Sequence, residues 1–198
     1  MKNPANFPTT LYVRNMVCNR CIRVVREELE RLGARIQRID LGEVDLLNPH
    51  EVDIKKIQSV LEDNGFELIE DKRVRIIEQI KLTILKLVQH DHALSPLKLN
   101  HSEYISQILG LDYHSLSSLF SSVENITIEQ YIILQKIERV KELLKYGELT
   151  LSEIAFKMGY SSVQHLSNQF KKVTGLTPSH FKNSKQSLRK PLDRVTLV

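Results

Sequence analysis

Apolar residues in the first seventy positions switch between a two-residue period and a helical period. Alternation predicts strands, and spacings of three and four residues predict amphipathic helices, with glycines at the turns. The predicted elements, in order, are a strand at 10–16, a helix at 21–32, strands at 35–41 and 43–47, a helix at 54–64 and a strand at 66–70. This βαββαβ order is the ferredoxin-like pattern.

Residues 72–92 predict one long amphipathic helix whose apolar stripe is wider than a solvent-exposed linker needs. The stripe must pack on a flanking domain or on the same helix of another subunit, so a homodimer through residues 73–92 is one expectation. Pro96 prevents the helix from continuing. His90 and His92 invite a metal assignment, but histidines at a helix end more often interact with the helix dipole or with solvent.

An internal repeat organises the rest of the chain. A shift of 50 residues superposes Ser102-Glu103 on Ser152-Glu153, Leu116 on Leu166, Phe120 on Phe170 and Thr127 on Thr177. Residues 128–145, between the copies, predict a helix of roughly 27 Å at 1.5 Å per residue. Its expected inward side chains are Ile132, Ile137, Val140 and Leu144. Because one DNA turn is ~34 Å, the two copies could enter successive major grooves on one face of a duplex.

The second copy, residues 150–181, has the layout of a helix-turn-helix, in which two short helices are joined by a tight turn. The predicted capping pairs at the two helix starts are Thr150 with Glu153 and Ser161 with Gln164. Gly159 separates the helices as a terminator that tolerates positive φ. The predicted inner stripe of the second helix is Leu166, Phe170 and Val173. Its outer face is therefore polar and cationic.

The same stretch closely resembles the second helix-turn-helix of AraC-type regulators. The matching positions are Ser152 to Ala155, Gly159 with Tyr160, Phe170 to Lys172, Gly175, and Thr177 with Pro178. Proline suits the first helical position after a threonine cap, because its fixed φ matches the first turn. The resemblance covers residues 97–181 and implies an all-α domain with two helix-turn-helix units that binds double-stranded DNA. Two packed helices without a DNA function are the alternative.

The recognition helix of the second copy is expected to make most of the DNA contacts. The candidate contact residues there are Ser162, Val163, Gln164, Asn168, Lys171 and Lys172. The two amides, four residues apart, can each form a bidentate pair with adenine N6 and N7, whereas the lysines suit phosphate. The outward face of the first copy carries His114, Ser118 and Ser121, with no Arg, Lys, Asn or Gln, so its base readout should be weak or absent. His114 and Ser118 are its candidate DNA contacts.

The net charge also differs between the N-terminal part and the remainder of the chain, and between the two copies of the repeat. The formal net charge is +4, but residues 1–72 hold 11 Lys and Arg against 13 Asp and Glu, while the remainder holds 17 against 11. Within that remainder, residues 97–131 carry a net charge of −3 and residues 147–190 carry +5. Because phosphate neutralisation supplies most non-specific affinity, the second copy is the expected anchor on DNA.

Composition argues against several other classes of protein. No apolar run approaches the length of a membrane span, and the N-terminus lacks the apolar core of a signal peptide. A cytoplasmic protein without a membrane partner is therefore expected. No Ser/His/Asp set, phosphate loop or carboxylate pair in a plausible cleft is evident, so the chain is not expected to be an enzyme.

The only two cysteines, Cys18 and Cys21, lie between the first strand and the first helix. In a cytosolic protein such a pair indicates metal or redox chemistry. Two intervening residues at a helix start let both sulfurs converge on one ion, and the helix N-terminus with Arg20 and Arg23 favours thiolate. Two soft ligands best suit Cu(I). Zinc prefers four ligands, although a soft divalent ion such as Zn, Cd or Pb can bind with help from water or a second chain.

With the βαββαβ order, the run NMVCNRC at residues 15–21 resembles the heavy-metal-associated domain of copper chaperones and metal-pumping ATPases. That family's usual motif is GMxCxxC, and Asn15 stands here in place of the glycine. The resemblance implies that Met16 anchors the loop in the core while the two thiols face solvent. A thioredoxin-like redox pair, or a pair kept on a domain used only for packing or dimerisation, are the alternatives.

The sequence therefore predicts an α+β protein with a ferredoxin-like domain at residues 8–71 and a double helix-turn-helix domain at residues 97–184. A connecting helix and break occupy residues 72–96, and a basic tail occupies residues 185–198. The expected function is sequence-specific transcriptional regulation that responds to a thiophilic ion such as Cu(I). The alternative is a metal carrier or interaction protein whose helical domain no longer binds DNA.

Overall fold

The computed structural model describes residues 10–89 and 101–183. The chain divides into two compact units, and the boundary falls between Leu82 and Thr83. We describe each unit by itself and call them the N-terminal and C-terminal units. Three predicted features lie outside the described residues: the break at Pro96, the histidines at 90 and 92, and the basic tail at 185–198.

The N-terminal unit has the predicted element order. Its elements are β1 (Thr10–Arg14), α1 (Asn19–Arg31), β2 (Ile36–Asp40), β3 (Glu43–Leu46), α2 (Ile54–Asp63), β4 (Glu67–Leu68) and the first part of α3 (Lys72–Gln89). The four strands form one sheet in the order β2-β3-β1-β4, and all three pairings are antiparallel. The central strands are thus β3 and β1, and β1 leads directly into the loop with the two cysteines.

Some predicted strands are longer than the observed ones, and one predicted helix begins later than the observed one. The first strand ends at Arg14 rather than at residue 16, because Asn15 adopts a left-handed φ of 68° that leaves the strand conformation. The first helix begins at Asn19, two residues before the prediction, with Cys18 as its N-cap. The last strand shrinks to Glu67–Leu68.

One face of the sheet and one side of α1 and α2 enclose the core. Alternation along β1 points Leu11 and Val13 inward, each only 1% exposed, as the period-two pattern requires. Val25 and Leu29 on α1 are fully buried against them, and Met16, 0% exposed, joins the same cluster. The prediction that Met16 anchors the cysteine loop in the core is confirmed.

The first part of α3 packs on the opposite face of this sheet. The guanidinium of Arg75 lies 3.8 Å above the ring of Tyr12, a β1 residue that faces away from the core. Further along α3, Glu78 forms an ion pair with Arg14, in which Glu78 Oε1 lies 3.2 Å from Arg14 Nε. Gln79 donates a 2.9 Å hydrogen bond to Glu43 on β3. The sequence left open what the helix packs against. These contacts show that residues 72–82 pack on the sheet of the same unit.

Most apolar side chains of α3 are buried within a single chain, whereas Val74 and Ile76 are half-buried. The buried ones are Ile77, Ile80, Leu82, Ile84, Leu85, Leu87 and Val88. A close approach accompanies this packing, because a Cβ built on Gly42 would lie 2.5 Å from Leu82 Cδ1. Gly42 also has a φ of +78°, so both the space and the backbone conformation require glycine there.

The C-terminal unit is helical in its described part. The helices that lie wholly in this unit are, over the described residues, α4 (His101–Leu109), α5 (Tyr113–Glu124), α6 (Ile128–Tyr146), α7 (Leu151–Lys157), α8 (Val163–Thr174) and α9 (Pro178–Asn183). The helix α6 begins with a full capping box from Thr127 and Gln130 and ends at Gly147 in the left-handed conformation. Its 19 residues span roughly 28 Å at 1.5 Å per residue. All four side chains predicted to face inward from it are buried.

The 50-residue repeat is visible in the packing. Residues 111–120 and 161–170 have the same order of exposed, half-buried and buried side chains at every position. The rings of Phe120 and Tyr131 lie 5.5 Å apart, and the equivalent rings of Phe170 and Phe181 are also 5.5 Å apart. The pair α4–α5 is thus the first helix-turn-helix and the pair α7–α8 is the second. None of the helices in the described parts of the chain has the length and apolar character that crossing a bilayer requires.

Candidate functional site

The outer face of α8 presents the polar and cationic side chains that the sequence predicted. Gln164, Asn168, Lys171 and Lys172 are exposed, and no carboxylate of the described residues pairs with either lysine. The opposite face is anchored in the core, since Leu166 and Phe170 are both 0% exposed. The helix therefore holds two amides and two free ammonium groups on a rigidly packed support.

The two amides on α8 are already aligned with each other. Gln164 Nε2 donates a 2.8 Å hydrogen bond to Asn168 Oδ1, as the i, i+4 spacing on a helix allows. Such a contact limits the rotamers of both side chains before any ligand arrives. It leaves Asn168 Nδ2 and Gln164 Oε1 for a base edge, which is a donor and an acceptor on one helix face.

The start of α8 differs in detail from the prediction. Ser162, not Ser161, is the N-cap, and its hydroxyl accepts from the backbone N–H of His165 at 3.1 Å. Ser161 Oγ instead lies 3.2 Å from His165 Nδ1. Two neighbouring serines are equally able to cap, and the turn geometry selects the second. The predicted capping box with Gln164 is therefore wrong, and this frees that amide for the outer face.

Two valines lie near the two ends of α8. Val163, a candidate contact residue, is half-buried at the first helical position. Val173 was predicted to join the inner stripe with Leu166 and Phe170, but it is 36% exposed. The helix ends one residue later, at Thr174.

The first helix-turn-helix places different chemistry at the equivalent positions. His114 and Ser118 on α5 are exposed, as Gln164 and Asn168 are on α8. Asp112 caps α5 by accepting from the N–H of Ser115, a hydrogen bond that helps to lower the pKa of its carboxyl group. Residues 101–131 contain no lysine or arginine. This unit thus has the shape of a DNA-reading motif with neither its amides nor its cations.

The two thiols converge at the start of α1. Cys18 Sγ and Cys21 Sγ lie 3.3 Å apart, and both residues are partly buried rather than fully solvent-facing. The loop before them is fastened, because Asn15 Nδ2 donates a 3.1 Å hydrogen bond to the carbonyl of Gly65. Asparagine is among the few residues with a Cβ that tolerate positive φ. This accounts for Asn15 where the resembled motif has glycine.

The two thiols differ in acidity. Burial raises the pKa of Cys18, but hydrogen bonds from Cys21 and Arg20 more than offset this, so the net shift is downward. Burial, and then the hydrogen bond to Cys18, raise the pKa of Cys21. A helix N-terminus favours one thiolate for the same electrostatic reason. Cys18 is therefore the thiol that ionises first.

The donor set limits which ion could bind. Over residues 10–89 and 101–183, no group of three or more His, Cys, Asp or Glu side chains is arranged to hold a metal. A two-thiol set fits a soft ion of low coordination number better than tetrahedral zinc.

Comparison with known proteins identifies the helical region. Residues 105–184 match the family model described as a helix-turn-helix domain. The Msm operon regulatory protein of Streptococcus mutans is 29% identical over 103 residues, which is 52% of this chain and 36% of that protein. The xylose operon regulatory protein of Haemophilus influenzae is 37% identical over 85 residues, covering 41% of this chain and 22% of that protein.

The chain also has matches among solved structures. The C-terminal domain of AraT, a response regulator from Geobacillus stearothermophilus, is 21% identical and covers 61% of this chain and 95% of that one, with a TM-score of 0.49. The helix-turn-helix assignment of residues 105–184 rests on the sequence matches. The matched part of the chain spans 36% of the length of the first of these regulators and 22% of the length of the second. The names of these two relatives describe the regulation of operons. Residues 105–184 are therefore a helix-turn-helix domain, and part of the chain is similar to bacterial operon regulators.

Proposed function

We propose that this chain is a sequence-specific transcriptional regulator that binds double-stranded DNA mainly through α8. The observation that carries the proposal is the exposed set of two amides and two lysines on a helix whose other side is fully buried. Amides at helical spacing suit the donor–acceptor pattern of adenine in the major groove, and lysines suit phosphate. The names of the matched relatives, which describe operon regulation, agree with this function.

Asn168→Ala tests the base-reading role. Loss of the Asn168 amide, which aligns Gln164 and offers Nδ2 to a base edge, is expected to cost about 1–3 kcal/mol of discrimination at one base pair. The measurement is the affinity of the wild type and the variant for a selected duplex and for a panel with each base pair replaced in turn. The matched control is Ser118→Ala at the repeat-equivalent position of α5, which should leave the panel unchanged. Equal loss on every duplex for Asn168→Ala would show that Asn168 does not read a base.

The alternative function, a metal carrier with a helical domain that no longer binds DNA, drew support from the acidic first copy. The exposed α8 lysines argue for the regulator, since they have no structural partner among the described residues. A salt-dependent mobility shift with any duplex decides between the two functions, because a carrier should show none.

For the N-terminal unit we propose a ferredoxin-like, heavy-metal-associated domain that binds Cu(I) through Cys18 and Cys21. The supporting observations are the βαββαβ order, the antiparallel sheet with β1 and β3 at its centre, the buried Met16 and the convergent thiols. A bound soft ion would supply a pair of strong bonds to thiolates and would hold the loop in one conformation. Arg20, next to Cys18 in the first turn of α1, favours the ionised form that such an ion needs.

A physical connection from this loop to α3 supports a sensing role. Arg14 ends β1 directly before the loop and pairs with Glu67 on β4 at 3.1 Å and with Glu78 on α3 at 3.2 Å. The helix α3 then continues past Leu82, where the N-terminal unit ends. Rearrangement of residues 15–18 by an ion would move the end of β1 and bias the position of α3. Regulation requires that the ion's affinity differ between the free and DNA-bound states.

The variants Cys18→Ser and Cys21→Ser test the metal proposal. Each leaves a single thiol, so the stoichiometry of Cu(I) in protein purified without oxygen is expected to fall from one to near zero. The wild type should also change its DNA affinity when titrated with Cu(I), and the variants should not. Retention of one equivalent by both variants would exclude this site. Identical DNA affinity with and without the ion would refute sensing and leave metal binding intact.

The homodimer through residues 73–92 remains a prediction. Most apolar side chains in the described part of α3 are already buried within one chain, so a dimer would have to use the half-buried Val74 and Ile76 or the polar positions of the helix.

A further inference from the structure

A groove of about 250 Å³ lies between the two helix-turn-helix motifs of the C-terminal unit. Its walls come from the start of α4, the first half of α6, the turn between α7 and α8, and the flank of α8. The residues that matter most for its chemistry are His101, Ile133, Lys136, Tyr160, His165 and Gln169. Neither the metal site nor the base-reading face of α8 uses any of them.

Lys136 is the central cation of this groove. It is half-buried on α6, and no carboxylate of the described residues forms an ion pair with it. Two nearby cations on the same helix are paired: Arg139 with Glu142 at 2.6 Å and Lys141 with Glu138 at 2.5 Å. Burial lowers the pKa of Lys136, which is the expected cost of holding an ammonium group away from water without a counter-charge.

The groups around Lys136 are donors or can become donors. Its Nζ lies 5.8 Å from the ring centroid of Tyr160, whose hydroxyl is buried without a hydrogen-bond partner. Burial raises the pKa of that hydroxyl to about 12, so it remains protonated near neutral pH. His101 has a pKa lowered by burial and then by the positive charge of Lys136. Gln169 adds an amide from α8.

One carboxylate lines the groove, and it is already engaged. Glu129 accepts a short hydrogen bond from the hydroxyl of Tyr113 on α5, a contact that lowers the pKa of Glu129. It lies seven residues, or about two helical turns, before Lys136 on α6. The end of the groove near Lys136 therefore keeps an excess of donors over acceptors, and Ile133 gives it an apolar wall.

We propose that this groove binds an oxyanion, with Lys136 as its principal charge and Gln169 and Tyr160 as hydrogen-bond donors. The oxyanion has two possible sources: a backbone phosphate of the duplex between the two half-sites, or the phosphate or carboxylate of a free small molecule. The first source rests on the proposed DNA-binding function and the second does not. In either case the bound group would bridge α6 to the turn that precedes α8.

The DNA source is tested by the salt dependence of duplex affinity for the full chain. If Lys136 contacts a phosphate, Lys136→Met should reduce the slope of log K against log salt by about 0.9 and weaken binding about eightfold at ~0.1 M salt, equally for all sequences. Lys136→Arg should restore both. Lys145→Met is the matched control, because Lys145 also lies above an aromatic ring, that of Phe181 at 5.2 Å, on the same helix. It should match the wild type.

The free-anion source is tested without DNA. Thermal unfolding of the full chain in sodium phosphate and in sodium chloride of equal ionic strength should differ for the wild type. At about five times its Kd, phosphate should raise the midpoint by about 2–4 °C more in the wild type than in Lys136→Met. Comparing variants removes the general stabilisation that phosphate gives any protein. This arm gives an answer even if the chain does not bind DNA at all.

If Lys136→Met does not fold, Gln169→Leu replaces it in both arms, since Gln169 is half-buried and outside the packed core. A loss in either arm that Lys136→Arg rescues supports the oxyanion site and names its source. Variants that behave as the wild type in both arms would overturn the proposal. A loss in both arms that arginine does not rescue would do the same, because it would show that Lys136 only supports the packing.

Discussion

Exchange of Lys171 and Lys172 for serine should weaken DNA binding by roughly 60-fold at ~0.1 M salt, because two phosphate contacts are lost. Serines occupy the equivalent positions of the first helix-turn-helix, Ser121 and Ser122, so the change makes α8 resemble α5. The slope of log K against log salt should fall by about 1.8, with no change in which duplex is preferred. Fluorescence anisotropy of a labelled duplex over a salt series measures both quantities.

The control is the double variant Lys55→Ser and Lys56→Ser on α2, which removes the same two charges from the N-terminal unit. It should leave the slope unchanged if only the C-terminal unit meets phosphate. The reverse exchange, Ser121→Lys with Ser122→Lys, should raise the slope by about the same 1.8 if α5 lies against the duplex. A loss of affinity in the α2 control as large as that in α8 would show a general charge effect instead of an interface.

Phe170→Ala should destabilise the C-terminal unit by about 3–5 kcal/mol, the range for truncating a fully buried phenylalanine. Phe170 is 0% exposed and contacts the ring of Phe181 edge-on, so both the buried area and the aromatic contact are lost. We expect DNA binding to disappear at temperatures where the wild type still binds. Urea unfolding followed by circular dichroism gives the change in stability, and hydrogen exchange of peptides from α8 gives its location.

The repeat supplies the matched comparison for this second variant. Phe120→Ala removes an equally buried ring, 5.5 Å from Tyr131, and should cost a similar free energy of unfolding. Phe170→Leu, which keeps most of the volume, should cost clearly less. A Phe170→Ala variant with wild-type stability would mean that α8 is not held by the contact with α9.

Much of this architecture could be predicted from local patterns. The period-two runs gave the strands because alternate side chains face the core, and the capping pair of Thr150 and Glu153 is present as predicted. Boundaries were less accurate where backbone conformation depends on distant atoms. Asn15 ends β1 early because its side chain reaches Gly65, fifty residues later in the chain.

Contacts between distant residues could not be derived from the sequence. The apolar stripe of α3 showed that it must pack, but the choice of the sheet depends on Arg75 with Tyr12 and Glu78 with Arg14, which no spacing rule relates. The groove around Lys136 was missed for the same reason. Its residues come from three separate helices and a turn, and one unpaired lysine among several on α6 carries no signal in the sequence.

Tandem duplication has a consequence for the partner duplex. The motifs α4–α5 and α7–α8 follow one another in a single polypeptide, joined by α6, and are not exchanged by a two-fold axis. A target recognised this way has a left end and a right end, and its two halves need not mirror each other. Because α8 carries lysines and amides and α5 carries neither, inverting the target would present the strong motif to the opposite side. The base sequence of the target would thus determine the direction in which the bound protein lies along a chromosome.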